Sequence, residues 1–346
     1  MNSWLLVLSL ALALGTLYAW AFTYLPRDGF QVLAAVPWRR RSGGSWRAGN
    51  LTWYGLFSAT AATVAAALFL LLASSFGVSP RTASLLAVML LVLGSLASRA
   101  IARWVEGKPY GFTVGGAVFA VLLVAGPALG LAARLSGEAL PEQAVLAALA
   151  TSYVFGESIG RLACISFGCC YGKPLESLSP GLRRWLRLPP FRFQGATRKI
   201  AFASGLEGVA VVPIQAITAS VLALVGLLSL ALLLAGWPRL ATLVAISLSQ
   251  LWRVVSERLR ADHRGGGRLS TYQWLALLAI PLGGLLTALL PAPANLRPEL
   301  GLGFAALWSP GVVLLLEGLW VAAFLRSGWS RVTGATVSFQ VYRSRI

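Results

Sequence analysis

Cys164, Cys169 and Cys170 fall within seven residues and are the only cysteines of the chain. A thiolate is both a nucleophile and a metal ligand, and a thiol pair is a redox couple. Arg161 and Lys173 supply positive charge that would lower a neighbouring thiol's pKa. Equally, the three side chains fit a packed helix end as small hydrophobes. The spacing C-x4-C-C lacks the paired C-x2–4-C arrangement of structural zinc sites, and His263 is the only histidine, so neither a metal nor another cofactor is expected. A single histidine also excludes an ordinary Cys-His or Ser-His-Asp arrangement; beside Asp262, it reads as a solvated loop residue.

A second set of residues carries charge where charge is expensive. Glu157 and Arg161 are spaced i,i+4, as are Arg253 and Glu257, so each pair shares one helical face. Near membrane depth such side chains must pair or line a wet cavity. Arginine at a helix end can also snorkel to headgroups, and an i,i+4 pair can do no more than neutralise itself. A guanidinium fork suits a phosphate, and glycines such as Gly115, Gly116, Gly168 and Gly172 let an anionic headgroup approach backbone. Tyr54, Arg99, Gln215, Arg260 and Gln273 gather at helix ends on the same side and complete the candidate binding set.

The elements that must position these residues follow from composition. Of 346 residues, 57% are hydrophobic and 12% charged, against about 25% charged in soluble domains. That excludes a soluble globular enzyme and a disordered chain, and three cysteines are too few for a disulfide-stapled secreted fold. Apolar runs long enough to cross a bilayer occur at 4–25, 54–76, 82–103, 115–134, 143–165, 208–235, 238–256, 272–291 and 302–326. With no alternating barrel pattern they are helices, and the fold class is an all-α polytopic membrane protein of about nine spans. The first run follows no Lys or Arg, so it reads as a retained anchor. One extramembrane cap, 173–207, interrupts the helices and is rich in Pro, Ser and Arg.

The formal net charge is +18, which on a membrane protein points to anionic lipid or an anionic substrate; no nucleic-acid module is visible. If nine spans alternate, 25 Lys and Arg share one face, and Arg81, Arg134, Arg239 and Arg297 lie opposite. The positive-inside rule makes the basic face cytoplasmic, with the candidate site on it.

In order along the chain, Asn50-Leu51-Thr52-Trp53-Tyr54-Gly55-Leu56, Phe112-Thr113-Val114-Gly115-Gly116, Gly160 to Gly172, Val212-Pro213-Ile214-Gln215 and Arg253 to Asp262 followed by Gln273 make up five motifs. They resemble those of the prolipoprotein diacylglyceryl transferases, bacterial inner-membrane enzymes that move a diacylglyceryl group from phosphatidylglycerol to a lipoprotein cysteine. Gly160 to Gly172 is similar to the signature G-R-x-G-N-F-x-N-x-E-x-x-G without a gap. The resemblance implies that Arg161 and Arg253 hold the headgroup phosphate, Glu257 orients one of them, and Tyr54 with the glycines shapes the pocket. It divides the chain into an extra helix and basic loop at 1–50, a transferase-like core at 51–291, and an extra helix and basic tail at 292–346.

Departures from that pattern are specific. Thr52, Val114 and Val212 stand where the family carries histidine, Cys164 replaces an asparagine and Cys169 a glutamate. At Val114 the residue usually assigned as proton acceptor is lost, a role worth roughly 10²–10⁴ in rate. The expectation is a phospholipid-dependent transferase with an acceptor of unknown identity on the cytoplasmic side, in which Cys164, Cys169 or Cys170 replaces the histidine. True lipoprotein modification, or a non-catalytic lipid-binding or transport protein, are the alternatives.

Overall fold

A computed structural model describes residues 3–40, 45–106, 114–185, 188–262, 269–291, 297–338 and 344. Arg41, Phe112, Thr113, Arg187 and His263 lie outside the described residues. The chain runs through α1 (Ser3–Tyr24), β1 (Val32–Arg40), β2 (Ser45–Thr52), α2 (Trp53–Ser75), α3 (Pro80–Glu106), α4 (Val114–Ser136) and α5 (Glu142–Phe167). The short α6 (Pro180–Trp185) and α7 (Lys199–Ser204) lie in the cap. Then come α8 (Ile214–Leu234), α9 (Pro238–Glu257), α10 (Thr271–Leu289), α11 (Leu300–Leu307), α12 (Pro310–Gly328) and β3 (Trp329–Ser338).

Each expected span has its helix, and the last is broken in two. Trp308 ends α11 and Ser309 takes the N-cap position of α12, whose first residue, Pro310, has no N–H to continue the α11 ladder. Among the described residues, α1, α2, α3, α4, α8, α10 and α12 are long and apolar enough to cross a membrane. The other two long helices, α5 and α9, carry the charged pairs. They are central: α5 packs on α2, α8 and α9, which shield its polar face from lipid. An all-α polytopic membrane protein is what the structure shows.

A three-stranded antiparallel sheet of order β1-β2-β3, unforeseen in the hydropathy pattern, joins the two ends of the chain. Its third strand comes from nearly 300 residues away, so no local hairpin signal announces it. Trp38 and Trp329 stack with centroids 5.1 Å apart above Gly49. A Cβ at Gly49 would sit 2.4 Å from the Trp38 ring, so only glycine admits this pair. The sheet leads directly into α2: Thr52 accepts from the Gly55 amide at 3.2 Å as N-cap and donates to the Gly328 carbonyl at 3.0 Å. A Cβ on Gly55 would lie 2.0 Å from the Gly328 Cα, so α2 and α12 meet backbone to backbone.

The cap seals the same end of the bundle. Arg198, only 1% exposed, donates to the carbonyls of Gln194, Ile165, Ser166 and Arg27, gathering the ends of α1 and α5 around one guanidinium. Burial pulls its pKa down to about 10, against the opposing pull of Asp28. At the opposite end, Glu138 accepts from the Ser79 amide and hydroxyl and from Thr82, closing the start of α3.

Candidate functional site

The fourfold spacing of Tyr153, Glu157 and Arg161 puts all three on one face of α5. Glu157 Oε1 accepts from Arg161 Nη2 and, across the helix interface, from Arg253 Nη2 of α9 at 2.5 Å. Tyr153 donates to the second carboxylate oxygen at 2.6 Å and accepts from Gln250 Nε2 at 3.0 Å. One carboxylate therefore serves two buried guanidiniums, which leaves the group with a net positive charge. Nε of Arg161 and Nε of Arg253 are buried donors with no hydrogen-bond partner among the described residues. Such donors are costly unless a ligand takes them.

Arg253 thus turns to Glu157 on the neighbouring helix, whereas Glu257 lies 3.3 Å from Arg260 Nη1. The resemblance assigns Glu257 to orient a phosphate-binding arginine. In the structure Glu157 makes the close contacts to both Arg161 and Arg253. Arg260 also makes a two-pronged pair with Asp262, at 2.8 Å on each oxygen. Gly115 opens α4 beside Arg253, whose Cδ and Nη1 lie 3.5 Å from where a Cβ would stand.

The cysteines close the other side. Gly168, at φ +68°, ends α5 in the left-handed conformation, its N–H bonded to Ile165 and that of Cys169 to the Cys164 carbonyl. Cys170, at φ 55°, is the one non-glycine residue of positive φ among the described residues. These consecutive reversals fold the loop back so that the three sulfurs lie within 4.8 Å of one another. None is in a disulfide. Hydrogen bonds with the Cys164 and Cys170 thiols, together with burial, push the Cys169 thiol well above its usual range. This opposes the lowered thiol pKa expected from the neighbouring cations.

These groups border one cavity of about 1060 Å³ lined by α2, α3, α4, α5 and α9. Tyr54, Glu157, Arg161, Cys164, Cys169, Cys170, Arg253 and Arg260 line it, as do Tyr153, Lys199 and Asp262, which were not among the residues singled out from sequence. Tyr153 was legible in the fourfold spacing; Lys199 enters only because the cap folds back. Away from the charged end the walls are apolar and small, with Ala61, Ala65, Phe69, Leu90, Val118 and Leu122.

Other expected residues support the site from behind. Gln215 donates to the Cys169 carbonyl at 3.0 Å. Gln273 completes a capping box with Ser270 and donates to the Val254 carbonyl at 2.9 Å, fixing α10 against α9. Gly172 touches the Val212 backbone so closely that a Cβ would sit 2.3 Å from its carbonyl oxygen. Arg99, Gly115, Gly116, Gly168, Gly172, Gln215, Glu257 and Gln273 stand outside the cavity lining. Of the positions that carry histidine in the resembled motifs, Thr52 and Val114 border the cavity, and Val212 is wholly buried in packing.

The family model described as prolipoprotein diacylglyceryl transferase matches residues 45–289. Among curated proteins no relative matches the chain.

Proposed function

Because the chain belongs to the prolipoprotein diacylglyceryl transferase family, we propose that it is a membrane transferase whose donor is an anionic phospholipid such as phosphatidylglycerol. The observation that carries this reading is one cavity with an apolar body and a cationic end, in which two buried guanidiniums keep unpartnered Nε–H donors. Its volume lies at the top of the roughly 300–1,000 Å³ range of small-molecule sites, suiting a lipid better than a metabolite. In the proposed step an acceptor nucleophile bonds to the glyceryl carbon of the donor, the C–O bond to phosphate breaks, and the electron pair leaves with glycerol phosphate. Arg161 and Arg253 hold that phosphate while negative charge gathers on it. Tyr54 lines the space around it, Gly115 stands beside Arg253, and Cys164, Cys169 and Cys170 line the same cavity.

Residues 51–291 form the catalytic core in this reading, and 1–50 and 292–346 are additions joined through the sheet. The distribution of 25 basic residues on the site face against four opposite supports a cytoplasmic site, and hence an acceptor other than an exported lipoprotein. Val114, apolar and bordering the cavity where the family motif has an imidazole, favours a second reading, a phospholipid-binding protein without turnover.

The test is to incubate detergent-purified protein with phosphatidylglycerol labelled in headgroup and acyl chains. Release of glycerol phosphate, lost in Arg161→Ala, is the expected result. Lipid that stays bound and intact through prolonged incubation supports the binding protein and overturns the transferase.

A further inference from the structure

The cysteine cluster has a geometry that its sequence spacing hides. C-x4-C-C looks unlike a metal motif because two ligands are adjacent in sequence, and adjacent side chains ordinarily diverge. Here the left-handed residues at 168 and 170 cancel that divergence. A left-handed non-glycine residue costs roughly 1–2 kcal/mol, and such strain persists only where surrounding structure over-determines it.

The surroundings do so at each step of the loop. Gln215 holds the Cys169 carbonyl, the Ala261 amide donates to the Tyr171 carbonyl at 3.0 Å, and Lys173 N–H donates to the Leu259 carbonyl at 2.9 Å. Gly172 pairs with Arg260 as an isolated bridge, and the Val212 amide donates to the Lys173 carbonyl at 3.0 Å. The loop is clamped between the ends of α5, α8 and α9, so the three sulfurs are held together before any ligand arrives.

We infer that Cys164, Cys169 and Cys170 form a three-thiolate site for a thiophilic metal ion with filled d shell, Zn²⁺ or Cu⁺, with one coordination position open to the cavity. A Zn–S bond of about 2.3 Å in a tetrahedral or trigonal arrangement places sulfurs about 3.8–4.0 Å apart, and the sulfurs of this cluster all lie within 4.8 Å of one another, so a shift of about an ångström or less brings them to that spacing. Soft thiolates select these ions over the hard cations of the cell. Binding releases three protons and forms three metal–sulfur bonds, leaving a complex of charge −1 with Zn²⁺ or −2 with Cu⁺. Arg161 lies within electrostatic reach of Cys164 and Cys170, and Arg260 of Cys170, so both offset that charge. Three thiolates this close repel one another unless a cation lies between them.

Three protein ligands facing a cavity are the pattern of a zinc site that keeps a position for water or substrate. The group that would fill it is a thiol or phosphate oxygen brought into the cavity. The site stands on the sulfur geometry alone and holds whether or not the phospholipid reading does.

Purification of the full-length protein in detergent without chelator, under anaerobic conditions, followed by elemental analysis tests it. One zinc or copper ion per chain is expected, with the element present distinguishing the two. Triple substitution to serine at 164, 169 and 170 should abolish the metal while lipid retention is monitored separately. Should that variant fail to fold, wild-type protein stripped of metal and titrated with Co²⁺ provides the second measurement. A thiolate-to-cobalt charge-transfer band saturating at one equivalent supports the site. Wild-type protein that carries no metal, shows no such band and keeps three alkylatable thiols in excess Zn²⁺ overturns it.

Discussion

Two arginines that share one carboxylate are held in place while remaining short of counter-charge. Glu157 neutralises one unit of the positive charge on Arg161 and Arg253 and occupies one end of each guanidinium. Replacing it by glutamine keeps an acceptor but leaves two buried cations uncompensated, a change expected to cost about 3–5 kcal/mol. Glu157→Gln should therefore melt well below wild type in detergent, and anionic phospholipid should restore more of its melting temperature than it adds to wild type. Equal shifts in both proteins would remove the phosphate assignment. Arg253→Lys keeps the charge but loses the planar fork, so phospholipid binding should weaken about tenfold with little change in folding. Arg161, Arg253 and the cysteine run are conspicuous in sequence because charge and sulfur are rare in this chain. Which carboxylate serves the arginines was not legible, since Glu157 and Glu257 each stand four residues from one of them. The choice rests on how α5 and α9 face each other, which residue spacing along one helix does not reveal.

At the level of elements, the long apolar helices are set by the demand that backbone in lipid satisfy itself, and their boundaries follow closely from hydropathy. The sheet and the broken last span depend on other information. β3 pairs with β2 across almost the whole chain, and α11 parts from α12 at a Ser-Pro pair inside one continuous apolar run. The junction of α3 with the turn before α5 offers a pH test outside the membrane. Glu138 accepts from Ser79 and Thr82, and these hydrogen bonds, led by the Ser79 hydroxyl, hold its carboxyl below the ordinary value of 4.5. A carboxyl with a lowered folded-state pKa adds stability in full above its unfolded value, and that contribution is lost as pH falls through the lowered one. Thermal melts should accordingly separate wild type from Glu138→Gln at neutral pH and converge in acid below 4.5. A gap that does not change with pH would mean that the carboxylate's charge contributes nothing to this junction.

For the molecule as a whole, the orientation of the bundle decides which acceptors can reach the cavity. The ends of α1, α3, α5, α9 and α12 that carry the cap and the sheet lie together. Gln194 of the cap donates to the carbonyl of Pro26, Ala261 beyond α9 to that of Tyr171, and Thr52 to that of Gly328. This is the end with the cavity's cationic residues and with the concentration of Lys and Arg. Moving such a face outward across an energised membrane is opposed by about 2.3 kcal/mol per charge for each 100 mV, and short basic loops resist export. The cap and the carboxyl terminus should therefore report as cytoplasmic and the amino terminus as external when reporter domains active on only one side are fused to each. Reducing the loop charge by substituting Arg39, Arg40 and Arg47 with glutamine should shift part of the population to the opposite orientation. If the cap instead reports as external in the native protein, the basic surface faces outer-leaflet lipid. Acceptors would then be the exported cysteines of lipoproteins, and the cytoplasmic acceptor would be excluded.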